Sequence, residues 1–393
     1  MKRIYFDYAA GAPIDPRIIE TMTPYFTENM GNPSSVYTEG RQAMRAIQDA
    51  RKQVANLIGA NSEDIVFTSG STESNNLALL GAASHQKNAS KHVITSNIEH
   101  MSVLETCKLL ETQGYDVTYL HVDHEGLIDS IDVLNAITDD TFLISVMYAN
   151  NEIGTIQPIP EIGMITHEKD ILFHVDADAA LGKIPIDVKT DQIDLMTIAS
   201  NNIYGPRGVG ALYIKNIKKR RIQPLFHGGG QERNYRSGSE NVLGIIGFGA
   251  AAEIAKKEMK SESQRLKGLR DTLIEELLTN IPSTTLNGHR TKRLPTNASI
   301  RFKYIEGESL VLSLDMEGFA VATGSACTSK TLEPSHVLTA IGLPHEEAHG
   351  SLQFTLGRWT TEEDINHLLK VLPEIVKRLR AMSPLTPPEL LTE

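Results

Sequence analysis

"DIVFTSGSTESNN", residues 64–76, is a run of β-formers that ends in a Gly turn, after which Ser71 and Thr72 open a helical pattern. A strand that passes through a tight turn straight into a helix is the front half of a βαβ unit. The same change of period recurs through the first two thirds of the chain. Strand-like runs fall at 64–69, 92–96, 116–122, 141–150, 171–177, 195–200 and 208–215. Helical patterns precede and separate them, such as 40–58, where Ala43, Ile47, Ala50, Val54, Leu57 and Ile58 share one face. This alternation predicts an α/β fold with a mainly parallel seven-stranded sheet, covered by helices on both faces.

A long helix is expected from about 241 toward 280. Short strands and helices follow, in "ASIRF", "ESLVLSL", "LQFTL" and "TEEDINHLLKVLPEIVKRLRAM", and read as a smaller α+β domain. The expected division is a large domain over 15–260 and a small one formed by 1–14 and 261–393, the latter carrying a loop around Cys327.

The net charge of −11 over 393 residues, without a basic cluster, argues against nucleic acid or an anionic membrane as the main partner. No apolar segment follows the basic start, so a signal peptide is not expected. "VLGIIGFGAAAEIA" at 242–255 is too short to span a bilayer and reads as a buried helix. Two cysteines, Cys107 and Cys327, cannot build a disulfide framework, and a reducing, cytoplasmic setting is expected.

Four polar motifs sit at the C-terminal ends of predicted parallel strands, where open α/β sheets gather ligands. Ser71 and Thr72 at a helix start suit a phosphate, although taken alone they are better explained by ordinary N-capping. Asp176 ends an apolar strand, and a buried acid needs a cationic or hydrogen-bonding partner such as a protonated pyridine nitrogen or a helix end. His100 and Asn150 each follow a strand, where a ring face and an amide are available to an aromatic ligand. Jointly these residues describe a pyridoxal phosphate (PLP) pocket. Cys327, in the small-residue loop "ATGSACTSKTLEPSH" with Lys330 nearby, is the one candidate nucleophile or metal ligand, since Cys107 lies on an apolar helical stripe. His345 and His349 are four apart but lack a third ligand and read as structural.

The motifs "YFDYAAGAPIDP", "GNPSSVY", "FTSGSTESNN", "EHMSVL", "NNEIGTIQPI", "HVDA", "IYGPRGVGAL", "GGGQERNYRSGSENV", "GSACTSKTLEPSHVL" and "TLGRWTTEEDI" together resemble cysteine desulfurases of the IscS/NifS type, nearly end to end. The resemblance implies a fold-type-I PLP-dependent transferase, class V aminotransferase-like, acting as a homodimer. Such proteins take sulfur from cysteine and pass it, as a persulfide on a loop cysteine, to an IscU-like iron-sulfur scaffold. It places Ser71 and Thr72 on the cofactor phosphate, His100 over the ring, Asn150 at the ring hydroxyl and Asp176 at the ring nitrogen. Ser239 matches a phosphate ligand given to the partner subunit, and Cys327 matches the persulfide carrier.

The departures from the family pattern carry more information than the matches. Where the family reads S-x-H-K-I-Y-G-P this chain has "ASNNIYGP", so Asn202 stands at the lysine that holds the cofactor covalently. An amide nitrogen, its lone pair delocalised into the carbonyl, neither forms a Schiff base nor shuttles a proton. Ala199 and Asn201 replace phosphate ligands, and Ala179 replaces a Gln near the ring oxygen. Gln353 stands where an Arg clamps the substrate carboxylate, and Gln lacks that bidentate, charged contact. Lys183 is expected to lie past the pocket.

The chain looks like an archaeal-like branch without the lysine. Ordinary desulfurase activity is expected to be weak or absent, with PLP held non-covalently or not at all. The expected role is in iron-sulfur cluster assembly with an IscU-like scaffold, cysteine or sulfide supplying the sulfur and Cys327 acting as persulfide carrier or as a shared [2Fe-2S] cluster ligand. The alternative is a working desulfurase, converting L-cysteine to L-alanine plus an enzyme persulfide, that uses non-covalently held PLP.

Overall fold

The seven strand-like runs of the first two thirds form strands of one sheet. The structure, a computed structural model, describes residues 3–86, 91–219, 221–324 and 333–391. Cys327 and Lys330 lie outside the described residues. A two-residue strand, β1 (Ile4–Tyr5), precedes the large sheet, which holds β2 (Ile65–Thr68), β3 (His92–Ser96), β4 (Asp116–Leu120), β5 (Thr141–Ser145), β6 (Leu172–Asp176), β7 (Leu195–Ala199) and β8 (Gly210–Ile214). Their order is β2-β8-β7-β6-β5-β3-β4. The β3/β4, β3/β5, β5/β6 and β6/β7 pairs are parallel, and β8 runs antiparallel to both of its neighbours.

Side-chain alternation along these strands feeds two separate apolar layers. Phe67, Ile94, Ile144, Phe173 and Ile198 face the helices 38–57 and 242–280. Their neighbours Val66, Val93, Leu143, Leu172 and Leu195 face the helices 71–86 and 101–112. Both faces are therefore covered, as near-continuous apolar strands require. Cys107 lies fully buried in the second layer, and burial pushes its thiol up to about 12.

The expected strand 141–150 ends at Ser145. At the far end of the expected run Asn150 builds a turn: its Oδ1 accepts from the backbone N–H groups of Glu152 and Ile153, both at 2.9 Å. Tyr148 N still reaches Asp176 O at 2.8 Å, which keeps this segment beside β6.

The helix Val242–Asn280 spans two cores. Its first half, with Ile245 and Phe248, packs on the large sheet, while Leu266, Leu273 and Leu277 enter a second cluster. That cluster covers an antiparallel sheet of β9 (Thr284–Leu286), β10 (Asn297–Phe302) and β12 (Ser351–Thr355), in the order β12-β10-β9. The N-terminus joins it, because β1 pairs in parallel with β11 (Phe319–Ala320) and Phe6 is buried in the same cluster. "ESLVLSL" falls in the helix Gly307–Met316. Among the described residues, no helix is long and apolar enough to cross a membrane.

Strand β2 is an edge of the large sheet, and its outward backbone groups need partners. A buried ion pair provides them. Arg51 donates to Glu232 through both terminal nitrogens, at 2.7 and 2.6 Å, and to Ile65 O at 2.8 Å, while Glu232 Oε2 accepts from Phe67 N at 2.8 Å. Arg51→Met leaves the Glu232 carboxylate buried and unpaired. It should destabilise the fold by about 3–5 kcal/mol, read as a lower urea midpoint at unchanged m-value; an unchanged midpoint would show that the pair does not hold this edge.

Candidate active site

Strands β2, β3, β5, β6 and β7 point the same way, so their C-terminal ends open onto one edge of the sheet. A cavity of about 390 Å³ lies there, within the usual range for small-molecule sites. Ser71, His100, Asp176 and Asn202 reach it from the large sheet, and Gln353 reaches it from β12.

Asp176 is 6 % exposed and sits at the end of β6. Its Oδ2 accepts from Asn75 Nδ2 at 2.7 Å, and its Oδ1 from Asp178 N at 3.0 Å. Asn75 also donates to Ser102 Oγ at 2.8 Å, which lies 2.8 Å from His100 Nδ1. Hydrogen bonds thus connect the acid to the imidazole. Ser102 N donates to His100 Nδ1 at 3.2 Å, so that nitrogen is an acceptor and His100 is the N-cap of the helix 101–112. With Nδ1 accepting, the ring N–H lies on Nε2. Burial, with the charge of Asp178, pushes the Asp176 carboxyl up, against the opposing pull of His100 and the Asn75 bond. A cation placed against Asp176 would relieve that cost.

Of the other expected site residues, Ser71 opens the 16-residue helix Ser71–Gln86 and lines the cavity. Ala179, Asn201 and Asn202 line it as well. Thr72 and Ser239 are exposed and lie off the lining. Ala199 is buried within β7, also off the lining. Asn150 is fully buried beneath the cavity, its Nδ2 committed to Ile98 O at 2.9 Å and its Oδ1 to the turn described above. Its neighbour Asn151 takes the place on the wall, and Gln353 Nε2 donates to the Asn151 carbonyl. His345 and His349 line a different groove of about 890 Å³ on the smaller sheet's side.

Asn201 and Asn202 form a short 3-10 turn, Asn201–Ile203. The left-handed position belongs to Tyr204, with φ 64°, and to neither asparagine. Turn geometry therefore does not account for the pair. Both carboxamides face the cavity.

Lys183 does not lie past the pocket. It lines the cavity, because the turn after β6 bends back at Gly182, whose φ of 68° favours glycine. Sequence inspection also missed Asn75 and Asp178. Asn75 follows Ser71 by four residues, one helical turn deeper on the same face, which was the available signal. The Lys183 and Asp178 positions depend on an irregular turn and had none.

The residues present suit an aromatic, anionic cofactor with a basic ring nitrogen. A buried carboxylate stands at the floor, an imidazole and a helix N-terminus stand at the walls, and Asn75 Oδ1 and Asp178 Oδ1 are buried without a hydrogen-bond partner among the described residues. No amine is offered at position 202.

Comparison with known proteins agrees with this architecture. A solved structure titled as a NifS-like protein superposes with a TM-score of 0.90 at 36% identity, over 96% of this chain and 100% of that one. The fold is that of fold-type-I PLP-dependent transferases. The aminotransferase class-V model matches residues 4–368, and the chain belongs to that PLP-dependent family. It is 55% identical over 381 residues to "Cysteine desulfurase IscS 1" of Archaeoglobus fulgidus, covering 97% of this chain and 99% of the relative. It is 54% identical to "Cysteine desulfurase IscS" of Methanosarcina thermophila, covering 100% and 96%.

Two further acids flank the site. Glu99 is fully buried, accepts from Ser96 Oγ at 2.6 Å and Met147 N at 2.9 Å, and burial pushes it up to about 8. Glu152 accepts from Ser335 Oγ at 2.7 Å, and burial likewise pushes it up to about 8. Unfolded Glu releases its proton near ~4.3, so between these values the folded state binds more protons and both groups lower stability as pH rises. Glu99→Gln keeps the accepting oxygen and removes the charge. Its melting temperature relative to the unsubstituted protein should rise between about pH 6 and pH 8; a pH-independent difference would show that Glu99 is ionised throughout.

Proposed function

We propose that this protein serves iron-sulfur cluster assembly as a cysteine desulfurase-family partner of an IscU-like scaffold, with ordinary cysteine turnover weak or absent. Cys327 is the residue through which it acts, as persulfide carrier or as a ligand to a shared [2Fe-2S] cluster. The similarity to proteins named as cysteine desulfurases, over nearly their whole length, supports the family role. The observation that carries the loss of turnover is that Asn202 and Gln353, both carboxamides, occupy one cavity.

When bound, PLP supplies an electrophilic aldehyde and a ring that draws electrons from an attached substrate. Asp176 would hold the ring nitrogen in its protonated form, since an ion pair offsets the cost of the buried carboxylate. His100 would present its ring to the cofactor face. Ser71 and the free N–H groups of the helix start would receive the phosphate. Ser239, exposed on its own chain, would reach the partner's cavity in a homodimer. Gln353 cannot do the work of a cation toward a substrate carboxylate, and its amide is already bonded to Asn151 O. The clusters on the large and the smaller sheet support the division into 15–260 and 1–14 with 261–393, and a further cluster of Ile98, Met147, Ile153, Val337 and Leu338 joins the two parts.

The reading is tested by anaerobic co-purification with a candidate IscU-like scaffold. The native protein should bring down a complex with more [2Fe-2S] absorbance than Cys327→Ala, and equal cluster content would remove Cys327 from that role.

A second outcome concerns the two carboxamides. Asn202→Lys should restore partial cofactor capture with little sulfide release. Adding Gln353→Arg should raise turnover roughly tenfold to a hundredfold over the single variant, because a charge-assisted bond is worth about 1.5–3 kcal/mol. Full activity in the single variant would show that Gln353 does not limit the reaction.

A further inference from the structure

We propose that Lys183 is the reactive amine of this cavity: its Nζ condenses with an aldehyde-bearing ligand beside Asn202, where the chain itself offers no nucleophile. The proposal rests on the PLP reading above for the identity of that aldehyde. In the step, the amine lone pair attacks the carbonyl carbon, a C=N bond replaces the C=O bond, and the oxygen leaves as water with the two amine hydrogens. No oxidant or reductant is needed.

The geometry puts Lys183 and Asn202 on the same wall. Both line the 390 Å³ cavity, and both line a small space of about 20 Å³ behind it. Gly182 packs so closely on the segment after Asn202 that a Cβ there would stand 2.5 Å from Ile203 Cγ2. The Lys183 backbone is held at both ends, with N donating to Ala180 O at 3.0 Å and O accepting from Ser263 Oγ at 2.5 Å. Only the side chain is free to turn. Its Nζ makes one hydrogen bond, to Ala179 O at 3.0 Å, and leaves its other donors unused among the described residues.

The surroundings favour the neutral, nucleophilic form. Lys183 is half-buried, and burial draws its amine down to about 8 against the opposing charge of Asp178. Asp178 lies on the same turn, with its Oδ1 buried and without a hydrogen-bond partner. The other titratable groups around the amine are Asp7, Tyr8, Asp176, His100 and Tyr204 in the cavity, and Glu262 and Arg358 in the space behind. Glu262 and Arg358 are paired to each other at 2.8 Å, which limits their net influence. A lysine that served only to close the turn on Ala179 O would show no preference for an aldehyde over any surface lysine.

The test uses the full-length protein with PLP, in parallel with pyridoxal, which lacks the phosphate. Samples are reduced with cyanoborohydride, digested and mapped by mass spectrometry, while equilibrium dialysis measures PLP binding separately. The pyridoxyl mass should fall on the Lys183 peptide in preference to other lysines. Its yield should rise about fivefold from pH 7 to pH 8 and level off by about pH 9, whereas exposed lysines gain roughly tenfold per unit up to about pH 10. Lys183→Arg, with its fold checked by circular dichroism, should lose that adduct. Dialysis that shows PLP binding while the label is absent from Lys183, or sits on Lys330, overturns the role of Lys183 and leaves the PLP pocket standing. An absence of both binding and label overturns the two together.

Discussion

Parallel strands cannot be joined by a tight turn, and every parallel pair in the large sheet therefore needs a crossover that returns the chain to the starting edge. This constraint sends the C-terminal ends of β2, β3, β5, β6 and β7 to one edge, and the helix starts and loops that follow them meet there. Ser71, His100, Asp176 and Asn202 are 131 residues apart at their extremes, yet they line one cavity because each ends or follows such a strand. The smaller antiparallel sheet completes the enclosure by bringing Gln353 across from β12.

Once gathered at that edge, the polar groups have to satisfy one another away from water. Asp176, Asn75, Ser102 and His100 do so as a connected series, and the backbone of Asp178 completes the set. Within and beside that series, Asn75 Oδ1 and Asp178 Oδ1 stay without a hydrogen-bond partner among the described residues. A site that keeps unpaired polar atoms beside a buried carboxylate is suited to holding a polar ligand, whereas the Arg51–Glu232 pair is spent on the backbone of the β2 edge and is structural.

Much of this was legible in sequence, and the misses have identifiable causes. The strands at 92–96 and 195–199 and the helix 242–280 follow from periodicity, because burial on both faces selects apolar runs and amphipathic helices. The strand drawn through 141–150 was too long, since an apolar run does not reveal that Asn150 will turn its amide onto two backbone N–H groups. Lys183 was read as remote, since nothing periodic reports how a turn bends back. The Asn201–Asn202 pair was open to a turn-forming explanation until Tyr204 proved to hold the left-handed position.

The sequence by itself determined the class of fold and the chemical identity of what is missing: an amide at 202 and at 353 is no amine and no guanidinium in any conformation. Those are local covalent facts, independent of folding. The tertiary structure alone decided that both carboxamides face one cavity, that Asn150 is turned away from it, and that Lys183 stands beside Asn202. Proximity of that kind depends on a single left-handed glycine and on packing against Ile203, which leave no repeating trace in the order of residues.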